Sequence, residues 1–239
     1  MERITFQKCA LSFVIALAVL ALVSPVFSQD AGAKQELQQK VAALKQSVAQ
    51  NQQALHQYTW TEKMEMIFKG ETKSTKQSQC QYGPDGKVQK TEIGSTPAPE
   101  KKRGLKGKVI EKKTDEMKDY MERVASLIKR YVPPEGSQMQ DSYQAGKAAI
   151  QPSGDGIVTL VFGDYAKPGD AVKLTFDTAS KKIRGYDVNT YLDAPADVVT
   201  LKVVFQNLPD GTNYVAQTIL DATAKQIQIR TTSSGYNKL

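Results

Sequence analysis

Cysteine and histidine are nearly missing from this 239-residue chain, which carries two cysteines and one histidine. Cys9 precedes an N-terminal apolar run, so once that run is removed only Cys80 remains and no internal disulfide can form. A hydrophobic core must then hold the fold, which the length permits. Cys80 lies in a polar, strand-like stretch far from His56 and reads as a buried or half-buried bystander rather than a nucleophile. Ser153, within Pro152-Ser153-Gly154-Asp155-Gly156, lacks the nucleophile-elbow pattern, and a lone histidine supplies no recognisable triad. No glycine-rich phosphate or dinucleotide motif occurs. Asp155, Asp164 and Asp170 sit near turns without a complete calcium-loop spacing and read as solvated turn acids. The expectation is a protein that is not an enzyme and takes no metal and no cofactor.

What is present begins with an address. Arg3 and Lys8 precede a run from Cys9 to Val23 that is almost wholly apolar, and Val26-Phe27-Ser28 offers a cleavage-like site before Gln29. This is the pattern of an export signal, and the run is short for a spanning helix and ended by Ser24-Pro25. Residues 1–28 are therefore expected to be a signal peptide and 29–239 one exported domain, placed in the periplasm with membrane association as a further option. The whole chain has formal charge +7. Removing Arg3, Lys8 and Glu2 takes off one net positive charge, leaving +6 and a bias toward anionic surfaces such as lipid headgroups.

Hydrophobic spacing then alternates between two periods. Leu37, Val41, Leu44, Val48 and Leu55 place an apolar stripe on a helix over Lys34 to Gln57. From Tyr58 to Phe68 the period becomes two, with Trp60, Met64, Met66 and Phe68 on one face of a strand. A more polar strand follows over Glu71 to Tyr82, then a turn at Tyr82-Gly83-Pro84-Asp85-Gly86-Lys87 and a short return strand through Val88. The stretch from about 94 to 113 carries Pro97 and Pro99 and a concentration of lysine and arginine, and is expected to be a basic loop. It has no interleaved aromatics to stack on bases, so nucleic acid is not an expected partner.

Helical spacing returns through Met117, Met121, Val124, Ile128 and Tyr131, giving a helix over Thr114 to Tyr131 and a second over Ser137 to Ile150. Six alternating segments complete the chain: Ile157 to Phe162, Val172 to Phe176, Ile183 to Leu192, Val199 to Phe205, Tyr214 to Leu220 and Gln226 to Thr232. Short connections between them imply sequential antiparallel neighbours. The expected fold class is α+β: a strongly curved antiparallel sheet, an incomplete barrel, covered by the N-terminal helix and two middle helices.

Over about residues 31 to 232 this organisation resembles the outer-membrane lipoprotein carrier and receptor superfamily, the LolA and LolB type. The resemblance rests on the export signal, the length, the amphipathic helix passing into Tyr58-Thr59-Trp60-Thr61, the middle helices and the final antiparallel series. It implies an incomplete barrel whose hydrophobic interior takes lipoprotein acyl chains. One departure is plain: the carriers use an arginine in an early-strand Arg-Pro motif, and residues 58–93 contain no arginine.

The expected function is a periplasmic binding or carrier protein that reversibly buries lipid or lipoprotein acyl chains. The alternative is a noncatalytic envelope interaction module with a filled core. Lining candidates are Trp60, Met64, Met66, Phe68, Val172, Leu174, Phe176, Leu201, Val203 and Phe205 on the sheet, with Met117, Met121, Val124 and Ile128 on the helical cover. Partners are acyl chains, with an anionic membrane surface or an envelope protein as further candidates.

Overall fold

The computed structural model describes residues 49–96 and 105–239, the side chains of 105–114 excepted. The expected export signal, its cleavage position, most of the Lys34 to Gln57 helix and the basic residues Lys101, Lys102 and Arg103 lie outside the described residues.

A helix whose described part is 49–55 (α1) leads into three strands, β1 (Tyr58–Phe68), β2 (Glu71–Tyr82) and β3 (Val88–Ser95). Two helices follow, α2 (Leu105–Ile128) and α3 (Gly136–Gln144). Seven strands end the chain: β4 (Ala148–Pro152), β5 (Ile157–Gly163), β6 (Ala171–Asp177), β7 (Lys182–Tyr191), β8 (Val198–Asn207), β9 (Asn213–Ala222) and β10 (Ile227–Lys238). All ten strands form one antiparallel sheet in the order β3-β2-β1-β10-β9-β8-β7-β6-β5-β4, which does not close into a barrel. Consecutive strands are neighbours throughout, except across the helical insertion between β3 and β4. Those two strands are the edges, and the first and last strands meet inside the sheet.

Three expectations are corrected. The basic stretch is not a loop through residue 113: β3 runs to Ser95 and α2 starts at Leu105, nine residues before the expected start at Thr114. Leu, Lys and Glu are good helix formers, so Leu105-Lys106-Gly107-Lys108-Val109-Ile110-Glu111 carries helical propensity that its charge obscured. The helix expected over Ser137 to Ile150 stops at Gln144, and Ala148–Pro152 is a strand paired with β5. Gly146 takes φ +69°, a left-handed angle that ends the helix at little steric cost, while Lys147 donates its amide to the Ser142 carbonyl. The last strand extends past Thr232 to Lys238, because β1 supplies it with a partner as far as Tyr58.

That β1–β10 pairing carries an irregularity: Thr59 faces Asn237 while Thr61 faces Ser234, so β10 holds an extra residue opposite Trp60. Gly235 sits in this bulge with φ +63°, an angle that glycine adopts readily.

The main core lies on one face of the sheet. Val124, Leu127, Ile128, Tyr131 and Met139 from the helical segment pack there with Phe162, Val172, Leu174, Tyr186, Val188, Val199, Leu201 and Val203, all buried. The end of α2 is also tied to the loop between β7 and β8: the Tyr120 hydroxyl donates to Asp197 at 2.7 Å, and Arg123 pairs with Asp193.

Candidate functional site

Alternation along each strand sends every second side chain to the core face, and the antiparallel register lines these side chains into rows across the sheet. One row runs Ser74, Met66, Ile229, Leu220, Leu201, Val188, Val172, Phe162, Ala148. The adjacent row runs Lys76, Met64, Thr231, Thr218, Val203, Tyr186, Leu174, Leu160, Ile150. Each row changes character along its length. Val172, Tyr186 and Val203 have no exposed surface and Val188, Leu174 and Leu201 only 2%. Met64, Met66, Thr218, Leu220, Ile229 and Thr231 are half-buried. The face is thus sealed over β6 to β8 and partly open over β9, β10 and β1, with apolar side chains continuing across the boundary.

Beyond β1 the same face becomes ionic. Glu62 pairs with Lys90 of β3, both of them only about a fifth exposed, and Lys76 pairs with Glu92 at 2.7 Å. The Lys76 ammonium bond, followed by Ser95, holds the Glu92 carboxyl below its ordinary range. An apolar strip is therefore bounded on one side by packed core and on the other by paired charges.

A second, aromatic cluster lies at the end of the sheet where α1 enters. Trp60 stacks on Tyr236 at 5.6 Å and touches Tyr82 at 5.4 Å, Tyr82 stacks on His56 at 4.3 Å, and Tyr214 lies 4.4 Å from Tyr236. The Tyr58 hydroxyl donates to Asp210 at 2.6 Å. Asn51 of α1 anchors the helix to β9, donating to the Asn213 carbonyl at 2.8 Å and accepting the Asn213 amide at 2.6 Å. Cys80 has no exposed surface beneath this cluster, and burial pushes its thiol up to about 11, so it stays protonated and unreactive at neutral pH.

The lining candidates divide accordingly. Met121, Val124, Ile128, Val172, Leu174, Leu201, Val203 and Phe205 belong to the buried core, and Phe68, Met117 and Phe176 pack against it with part of their surface exposed. Met64 and Met66 share the core face but stand half-buried beside it. Trp60, 6% exposed, belongs to the aromatic cluster instead. Leu220 and Ile229 extend the strip; neither is among the expected lining residues, although both lie on strands whose alternation is visible in the sequence.

Asp170 corrects another expectation. It is 2% exposed rather than a solvated turn acid, and its carboxylate accepts the Tyr131 hydroxyl at 2.6 Å and the Lys167 amide at 3.0 Å. Tyr131 also bonds Thr190 at 2.8 Å, and the Tyr186 hydroxyl donates to the Tyr131 carbonyl. This network satisfies a charge inside the core and pins the segment after α2 to the sheet. Asp164 is used by its own turn, accepting the Gly169 amide at 2.7 Å and pairing with Lys147 at 3.3 Å. Among the described residues no group of His, Cys, Asp and Glu side chains is arranged to hold a metal ion, and no helix is long and apolar enough to cross a membrane.

These features define an α+β protein built on one open antiparallel sheet, with a core face that is sealed at its centre and partly open toward β1. Protein-family models, curated proteins and solved structures contain no match to the chain.

Proposed function

We propose that this is an exported, periplasmic binding or carrier protein that reversibly buries a lipid or lipoprotein acyl chain against the strip formed by β9, β10 and β1. It is a noncatalytic member of the LolA and LolB type of organisation, with the sheet strongly curved about its core face. The supporting observation is the half-buried apolar series Met64, Met66, Phe68, Leu220 and Ile229, which continues the rows of a sealed core with part of each side chain open to a guest.

The energetics fit a reversible guest. Burying one methylene gains about 0.8 kcal/mol, so a chain of ordinary acyl length lying on such a strip gains enough to leave a membrane or a second protein only when most of its length is covered. Two methionines suit the task, because unbranched thioethers adapt to a flexible chain. The charged border of Glu62, Lys90, Lys76 and Glu92 limits how far the chain can spread toward β3. Basic residues from Lys101 to Lys113 would bring the protein to an anionic membrane or an envelope partner.

A second reading, an envelope interaction module with a filled core, draws on the complete sealing of Val124, Val172 and Val203. Displacement of a bound apolar fluorophore by a fatty acid separates the two. The carrier reading expects the wild-type protein to take up the fluorophore and release it to the fatty acid, and Met66→Asp to lose that uptake with circular dichroism unchanged. A protein that takes up neither fluorophore nor fatty acid would be the module.

A further inference from the structure

The sheet ends in two edges that are guarded differently. β3 carries Lys90 and Glu92, both ion-paired, and its pairing with β2 is irregular between Gln77 and Ser78, so charge and a bulge protect it. β4, Ala148-Ala149-Ile150-Gln151-Pro152, has no charge and no irregularity, and Ala149 to Pro152 are exposed. Ile150, at its centre, is 71% exposed.

The direction of the main-chain groups of β4 follows from its two ends. Gly163 donates its amide to the Lys147 carbonyl at 3.0 Å, and Ser153 donates its amide to the Ile157 carbonyl at 2.9 Å. The register between these points is unbroken. In an antiparallel ladder alternate residues bond to the same neighbour, so Lys147, Ala149, Gln151 and Ser153 turn toward β5 and Ala148, Ile150 and Pro152 turn outward.

We propose that β4 is a homodimerisation strand, two copies joining edge to edge through antiparallel β4 pairing centred on Ile150. In this register the two Ile150 residues exchange both main-chain hydrogen bonds, and the Ala148 amide of each copy donates to the Pro152 carbonyl of the other. Pro152 lacks an amide hydrogen, and here that leaves only an Ala148 carbonyl to water. The two-fold axis stands perpendicular to the sheet, so both Ile150 side chains lie on one face and cover each other. No like charges meet: Lys147, already bonded to Asp164 at 3.3 Å, falls opposite Ser153 of the other copy. A second copy is the occupant because this strand is complementary to its own reverse, uncharged throughout and with its apolar residue on the axis.

A five-residue strand buries less than the roughly 1,200 Å² of a stable interface, so the dimer is weak and reversible. The net positive charge opposes it, and added salt strengthens it by screening. Sedimentation velocity over a concentration series tests this. The wild-type protein is expected to pass from monomer to dimer, Ile150→Lys to weaken association by about tenfold or more, and Ile93→Lys on the other edge to leave it unchanged. In a Cys9→Ser background, spin labels at Gln151→Cys, exposed on the face opposite Ile150, should report an intermolecular distance of about 20 Å or less, since paired strands lie about 4.8 Å apart. A monomer at every concentration, a dimer that survives Ile150→Lys, or one abolished by Ile93→Lys would overturn the proposal.

Discussion

Asp177 shows how much a single polar residue contributes at a strand end. Its carboxylate accepts the amides of Ala179 and Ser180, each at 3.0 Å, and the Arg184 guanidinium at 2.7 Å. The Ser180 amide, then Arg184, hold its pKa down to about 2. A carboxylate whose folded pKa is depressed stabilises the fold above its ordinary pKa of about 3.9 and loses that contribution as pH falls through the folded value. Asp177→Asn should therefore lower the melting temperature at pH 7, and the gap from wild type should close as the pH approaches about 2. Thermal unfolding followed at several pH values checks this. The role of Asp177 was legible, because Asp177-Thr178-Ala179-Ser180-Lys181 places its capping partners within three residues. Asp170 was not, because its main partner, Tyr131, comes from a different element and only the folded chain brings them together.

At the scale of elements, α2 and β1 offer apolar side chains to the same face but in different states. Ile128 is 1% exposed within the packed core, whereas Met66 is only half-buried. Ile128→Ala leaves a cavity and should cost about 2–5 kcal/mol, while Met66→Ala should cost about 1 kcal/mol or less. Equilibrium unfolding in urea measures both, and equal costs would mean that the strip is packed like the core. Strands with clean alternation, such as β1, β6 and β8, could be placed from sequence to within a residue or two. β4 could not, because Ala148-Ala149-Ile150 suits a helix as well as a strand and only pairing with β5 decides. The beginning of α2 is masked for the opposite reason: its run of like charge is as compatible with a solvated loop as with a helix, although lysine, leucine and glutamate favour the helix.

For the whole molecule, the decisive feature is the pairing of the first strand with the last. Local patterns predict that neighbours in sequence pair, and apart from β3 and β4 they do, yet nothing local joins β1 to β10. That contact sets Met64 and Met66 beside Thr231 and Ile229 and so creates the partly open end of the core face. Sequence reading could name most of the apolar side chains on this face but could not divide them into sealed and reachable sets, since both obey the same alternation. The core is kept filled by α2 and β6 to β8 and is extended by the strip, which under the proposed function a guest covers from outside.

Methionine labels that division. Of the chain's six methionines, Met64 and Met66 lie on the strip, Met117 packs against the core with part of its surface exposed, and Met121 and Met139 lie in the core, at 7% and 0% exposure. With carbon-13 in the methionine methyl groups, a fatty acid titrated into the protein and followed by NMR should shift Met64 and Met66 in a saturable way while Met139 stays in place. Methyl signals that all remain fixed, or a Met139 signal that moves together with those of Met64 and Met66, would contradict the account.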